Sequence, residues 1–98
     1  MKNENKYRQD LVKKIKEIFP DIIIIHGNPN EIQGIPDLIL FYKNKYAMIE
    51  TKKLKKSKKQ QNQDYYIDFI KDWGSFASFV QRDNEEVVLN ELRRYFEI

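Results

Sequence analysis

A chain of 98 residues with 41% hydrophobic and 13% aromatic content reads as one packed domain spanning residues 1–98, and not as a disordered tail. The lack of cysteine excludes a disulfide framework or a thiolate metal site, and a single histidine argues against a histidine-rich zinc site. The net charge of +3 is uneven: residues 1–60 hold 14 Lys/Arg against 7 Asp/Glu, whereas residues 61–98 hold 4 against 8. A basic half suits a polyanionic partner, although charge clustering this mild is also common on ordinary surfaces. No apolar run approaches membrane-spanning length and the N-terminal stretch is charged, so a cytoplasmic protein without membrane contact is expected.

The first predicted element is an amphipathic helix over residues 4–19. Tyr7, Leu11, Ile15, Ile18 and Phe19 recur at helical spacing, and Pro20 ends it. Glu4, near its start, can simply complement the helix dipole. Residues 22–25 are four β-branched residues in a row, the pattern of a strand buried on both faces. His26 follows and reads as a surface or capping residue, not a ligand. Residues 27–34 are rich in turn formers, and they either line a binding groove or serve as a plain connection. Gly34 there supplies close backbone approach or a positive φ.

Two apolar runs follow, 37–42 and 45–52, and they predict a β-hairpin with Asn44 as the best turn residue. A Lys43–Asn44 turn puts Asp37 opposite Glu50; an Asn44–Lys45 turn puts Asp37 opposite Lys52. In both registers Asp37, Glu50 and Lys52 share a face and Thr51 points away. Two carboxylates placed together repel, and a hard divalent cation removes that cost by taking both as oxygen ligands. A lysine two positions on can steady a water or the charge at a phosphate. This chemistry reads as metal-assisted phosphodiester hydrolysis. The plain structural alternative is an ion pair of Lys52 with either carboxylate at a strand end.

Six lysines lie between positions 52 and 59, a solvated loop or a phosphate-tracking surface, with Lys53, Lys55 and Lys56 as backbone-contact candidates. A helix is expected over roughly 59–73, with Tyr66, Phe69, Ile70 and Trp73 as its buried stripe, Tyr65 available to stack on bases, and Gly74 closing it. Gln60 and Gln63 lie one turn apart near its start. A strand over 75–80 and an acidic final helix opened by a capping box at residues 83–86 complete the chain.

Gly34-Ile-Pro-Asp37, then Glu50-Thr51-Lys52, then Gln63 eleven residues before Gly74 resembles the PD-(D/E)XK nuclease motif. Within that superfamily it is similar to the VRR-NUC (virus-type replication-repair nuclease) branch, in its small standalone phage and bacterial form. The resemblance implies a restriction-endonuclease-like α/β fold, a mixed β-sheet flanked by helices in the order α-β-β-β-α-β-α. It implies a metal-dependent DNA endonuclease of replication, repair or recombination, acting on branched DNA in some members, in a bacterial or phage-infected cell. Asp37, Glu50 and the Thr51 carbonyl would then hold Mg²⁺ or Mn²⁺, with Lys52 steadying water or charge. Gln63 would position the site, Glu4 would complete the acidic cluster, and Gln60 is the second choice of glutamine. A homodimer is the implied assembly. The rival expectation is a non-catalytic nucleic-acid-binding module of the same fold, and a third is a structural phage protein.

Overall fold

Apolar side chains at one-turn spacing make the first helix, α1 (Lys2–Ile18). Tyr7, Leu11 and Ile15 fall in one line, continued by Phe19, and all four are buried. The computed structural model describes residues 2–51 and 63–97. Among them the order continues with β1 (Ile23–His26), β2 (Leu38–Tyr42), β3 (Lys45–Thr51), α2 (Gln63–Asp72), β4 (Phe76–Val80) and α3 (Glu85–Glu97). This is the predicted succession α-β-β-β-α-β-α, and the chain is a compact α/β fold.

The strands form one mixed open sheet in the order β1-β2-β3-β4. The first three run antiparallel, and β4 joins β3 in parallel. A parallel neighbour needs a crossover, and α2 lies within that connection. Alternation along β2 and β3 then sorts side chains to two layers. Leu38, Leu40, Ala47 and Ile49 pack with the α1 stripe and with Val88, Leu89, Leu92 and Phe96 of α3 in one large core. The opposite face carries a smaller core, in which Ile67 and Ile70 of α2 pack on Ala77 with Tyr46, Met48 and Phe79 alongside.

The larger layer is also tied by polar contacts. The buried Tyr7 hydroxyl donates to Glu85 Oε1 at 2.8 Å, and Lys14 Nζ reaches Glu85 Oε2 at 2.5 Å, joining α1 to the start of α3. At the far end of α3, Lys45 Nζ donates to the Tyr95 carbonyl at 2.7 Å and the Tyr95 hydroxyl donates to the Tyr46 carbonyl at 2.8 Å. A lysine on the last carbonyls of a helix also suits the helix dipole. Phe19, Tyr42 and Phe96 close the layer as a cluster of rings with centroids 5.0–5.4 Å apart.

Three expectations change. First, β1 is not buried on both faces: it is an edge strand, with Ile22 buried but Ile23 60% exposed and Ile25 exposed as well. The reason is coverage, since α2 packs on β3 and β4 and leaves the same face of β1 open. Second, the buried stripe of α2 is Ile67 and Ile70, whereas Trp73 is 60% exposed and Phe69 also reaches solvent. Apolar residues occur around more than one side of this helix, so spacing alone did not select the inward line. The exposed rings instead form a row, with Tyr65 stacked on Phe69 and Phe69 against Trp73. Third, α3 begins at Glu85, so the residue in the capping position is Asn84 and not Asp83. The Asn84 side chain turns back, accepting from the Gln81 N–H and donating to the Phe79 carbonyl, and so ties the helix start to the end of β4.

Gly74 closes α2 as expected. Its φ is 89°, its N–H meets the Lys71 carbonyl, and the Ser75 N–H meets that of Ile70, the paired bonds of a Schellman ending.

Candidate active site

The hairpin fixes the centre of the site. Leu38 pairs with Ile49 and Tyr42 with Lys45, so the turn is Lys43–Asn44 and Asp37, just ahead of β2, lies opposite Glu50. Of the two registers open in the sequence, this is the one that sets the carboxylates against each other. The positive φ of the turn, 59°, falls on Lys43 and not on Asn44.

The two acids are held by reciprocal bonds between the strands. The Asp37 N–H donates to Glu50 Oε1 at 3.0 Å. Asp37 Oδ2 accepts the Thr51 N–H at 3.1 Å and the Thr51 hydroxyl at 2.5 Å. Thr51 therefore does not turn away from Asp37. Period-2 alternation holds within a strand, but Asp37 precedes β2, and its carboxylate swings across the sheet end to the Thr51 side. Glu50 is only 3% exposed and Thr51 fully buried. A carboxylate this enclosed needs compensation from hydrogen bonds or positive charge.

For Glu50 one such bond is that from the Asp37 N–H, while Asp37 itself meets a positive charge from α1. Arg8 Nη1 lies 3.7 Å from Asp37 Oδ1, the oxygen turned away from Thr51. The same guanidinium donates through Nη2 to Asn5 Oδ1 at 2.6 Å. The backbone of Asp37 is also pinned, since the Gly27 N–H donates to its carbonyl at 2.8 Å. A Cβ on Gly27 would fall 2.0 Å from the Pro36 carbonyl oxygen, so this approach requires glycine. Gly34 supplies a positive φ of 82° in the connecting loop.

The structure thus brings together Asp37, Glu50 and Thr51. His26 pairs with Leu38 across β1–β2 and is exposed, in keeping with a surface role. Glu4 lies on α1 one turn before Arg8, and Gln63 begins the described part of α2; the side chains of both lie outside the described residues. Lys52, Lys53, Lys55, Lys56 and Gln60 also lie outside them. Arg8, Gly27 and the Thr51 hydroxyl were not singled out from sequence. For Arg8 a signal existed, since it shares a helix face with Glu4. For Gly27 and Thr51 the signal is a contact across strands that no local pattern carries.

Two carboxylates and a nearby main-chain carbonyl make an all-oxygen donor set, which fits a hard divalent cation of the Mg²⁺ or Mn²⁺ kind. Among the described residues no third His, Cys, Asp or Glu joins the pair, and one or two carboxylates are what Mg²⁺ commonly takes when substrate phosphate supplies the rest. The bonds from the Asp37 N–H to Glu50 and from Thr51 to Asp37 are of the supporting kind that orients ligating oxygens. Among the described residues, no helix is long and apolar enough to cross a membrane. Compared with known proteins, the chain matches no family model, no curated protein and no solved structure.

Proposed function

We propose that this protein is a metal-dependent endodeoxyribonuclease of the PD-(D/E)XK type, in the VRR-NUC branch, hydrolysing phosphodiester bonds of DNA. The observation that carries the reading is the facing of Asp37 and a nearly fully buried Glu50 across one hairpin, each oriented by a bond from the other's strand. The element order and the mixed sheet with helices on both faces support the same reading.

In this reading Asp37, Glu50 and the Thr51 carbonyl hold Mg²⁺ or Mn²⁺. Held there, the cation would supply Lewis-acid polarisation of the scissile phosphate and a more acidic water. The chain's own groups do the rest. Thr51 fixes the rotamer of Asp37 through its N–H and hydroxyl, and the Asp37 N–H fixes Glu50. Lys52 follows directly and steadies the attacking water or the charge that develops at phosphorus. Lys53, Lys55, Lys56 and Gln60 would contact the DNA backbone, Gln63 would position the site and Glu4 would complete the acidic cluster. A homodimer belongs to the same proposal and is supported by the exposed Ile23, Ile25 and Phe41 on one open sheet face. The setting is the cytoplasm of a bacterial or phage-infected cell.

The ion pair of Arg8 with Asp37 favours a second reading, a nucleic-acid-binding module that keeps the acids as a structural network. Cleavage of a labelled panel (duplex, single strand, flap, four-way junction) with Mg²⁺, Mn²⁺ or EDTA separates the two. Metal-dependent cutting that is lost in both Asp37→Asn and Glu50→Gln, with far-UV circular dichroism unchanged, supports the nuclease. Salt-sensitive binding that ignores metal, without cutting, supports the module.

A further inference from the structure

We infer that Arg8 is an exchangeable counter-ion of the site, paired with Asp37 in the metal-free protein and with a DNA phosphate once the cation is bound. The inference rests on the nuclease reading and names a residue that reading does not use.

Arg8 is placed for such an exchange. Its guanidinium addresses Asp37 Oδ1, while Oδ2 is committed to Thr51. At 3.7 Å the contact is an ion pair without a hydrogen bond, whereas the Nη2 bond to Asn5 at 2.6 Å holds the group at that spot from its own helix. That bond does not involve Asp37, so the guanidinium keeps a partner on its own helix when the carboxylate is taken by another ligand. The side chains of Arg8 and Asp37 are both partly exposed, at 28% and 23%, so a ligand can reach the seam between them.

A divalent cation at the carboxylates changes what Arg8 experiences. Before it binds, the guanidinium offsets the negative charge of the partly exposed Asp37. Afterwards Asp37 is neutralised, and the arginine faces a cation that repels it. The anion that then arrives is the substrate phosphate, and guanidinium matches phosphate oxygens with paired donors. Arg8 therefore competes with metal and cooperates with DNA, a pairing of effects that a purely structural salt bridge would not produce.

Calorimetric titration of Mn²⁺ into the wild type, Arg8→Ala, Arg8→Lys and Glu50→Gln tests the first half. Removing a part-exposed competing ion pair should tighten Mn²⁺ binding in Arg8→Ala by about two- to fivefold, with Arg8→Lys close to wild type. DNA binding in Ca²⁺, at several salt concentrations, tests the second half. Arg8→Ala should bind more weakly, with a log–log salt slope shallower by about one. Mn²⁺ affinity that is unchanged or weaker in a folded Arg8→Ala, while the wild type shows binding that Glu50→Gln abolishes, overturns the inference and leaves the nuclease reading standing. Unchanged DNA affinity and salt slope also overturn it. A wild type without Glu50-dependent Mn²⁺ binding brings down the nuclease reading and this inference together.

Discussion

The two faces of the sheet are built differently. Beneath α1 and α3, aliphatic side chains are fully enclosed, rings close the edges, and Tyr7, Glu85 and Lys14 fasten the two helices together. The other face is covered by α2 only over β3 and β4, and Ile23, Ile25 and Phe41 stand open beside it. The carboxylate pair belongs wholly to neither. Both acids sit at the sheet end, where the Asp37 N–H holds Glu50 and the Asp37 carboxylate meets Thr51 and Arg8. Stability is thus concentrated in one layer, and the candidate site groups sit at the seam, with Glu50 and Thr51 enclosed and the side chains of Asp37 and Arg8 partly exposed.

The sharpest test of this asymmetry sets Leu40→Ala against Ile25→Ala in urea unfolding. Leu40 is fully buried in the sealed layer, and its truncation should cost about 3 kcal/mol. Ile25 is 49% exposed, and its truncation should cost less than about 1 kcal/mol. Similar losses, with the Ile25 value growing with protein concentration, would mean that a second copy covers the open face.

Gly27→Ala probes the seam. The added Cβ cannot coexist with the Pro36 carbonyl 2.0 Å away, so the approach to β2 must shift. An expected loss of about 2 kcal/mol, read from the urea midpoint, should accompany a fall in Mn²⁺ affinity because Asp37 moves with that backbone. A stability loss without the metal effect would separate Gly27 from the site.

Tyr7→Phe weakens the fastening of the sealed layer by removing its bond to Glu85, at a cost of about 1 kcal/mol. The effect depends on pH. Burial, then the hydrogen bond to Glu85 and the charge of Glu85, raise the Tyr7 hydroxyl well above its usual range. The folded state therefore holds this proton after the unfolded chain has lost it. The contribution is complete below about pH 10 and declines as pH rises beyond that value. The gap in stability between wild type and Tyr7→Phe should narrow above that pH in denaturation series.

The smallest effect is a gain. Lys43 holds a positive φ in the hairpin turn, and Lys43→Gly should raise stability by about 0.5 kcal/mol, the relief of that conformation less the added freedom of glycine. A matching rise in melting temperature, with metal affinity unchanged, would show that the turn and the seam are energetically separate.

Much of this was legible in the sequence, because the relevant patterns are local. The stripe Tyr7, Leu11, Ile15 and Phe19 specifies α1, and the two-residue turn with its flanking runs specifies the hairpin and narrows the partner of Asp37 to two choices. What stayed hidden depends on neighbours distant in sequence. The exposure of Ile23 and Ile25 follows from where α2 lands, the inward choice of Ile67 and Ile70 from the shape of the sheet beneath them, and the reach of Asp37 to Thr51 from its place just outside the strand. Arg8 meets Asp37 only after α1 has packed.

The hairpin that carries the acids also bears on the order of assembly. A tight hairpin closes in about 1–10 μs, whereas the β3–β4 pairing waits on the long crossover through α2. Asp37 and Glu50 are therefore brought together by the most local pairing in the sheet. If that hairpin is formed in the folding transition state, their mutual repulsion slows folding more than it speeds unfolding, and Glu50→Gln should raise the folding rate with little change in the unfolding rate.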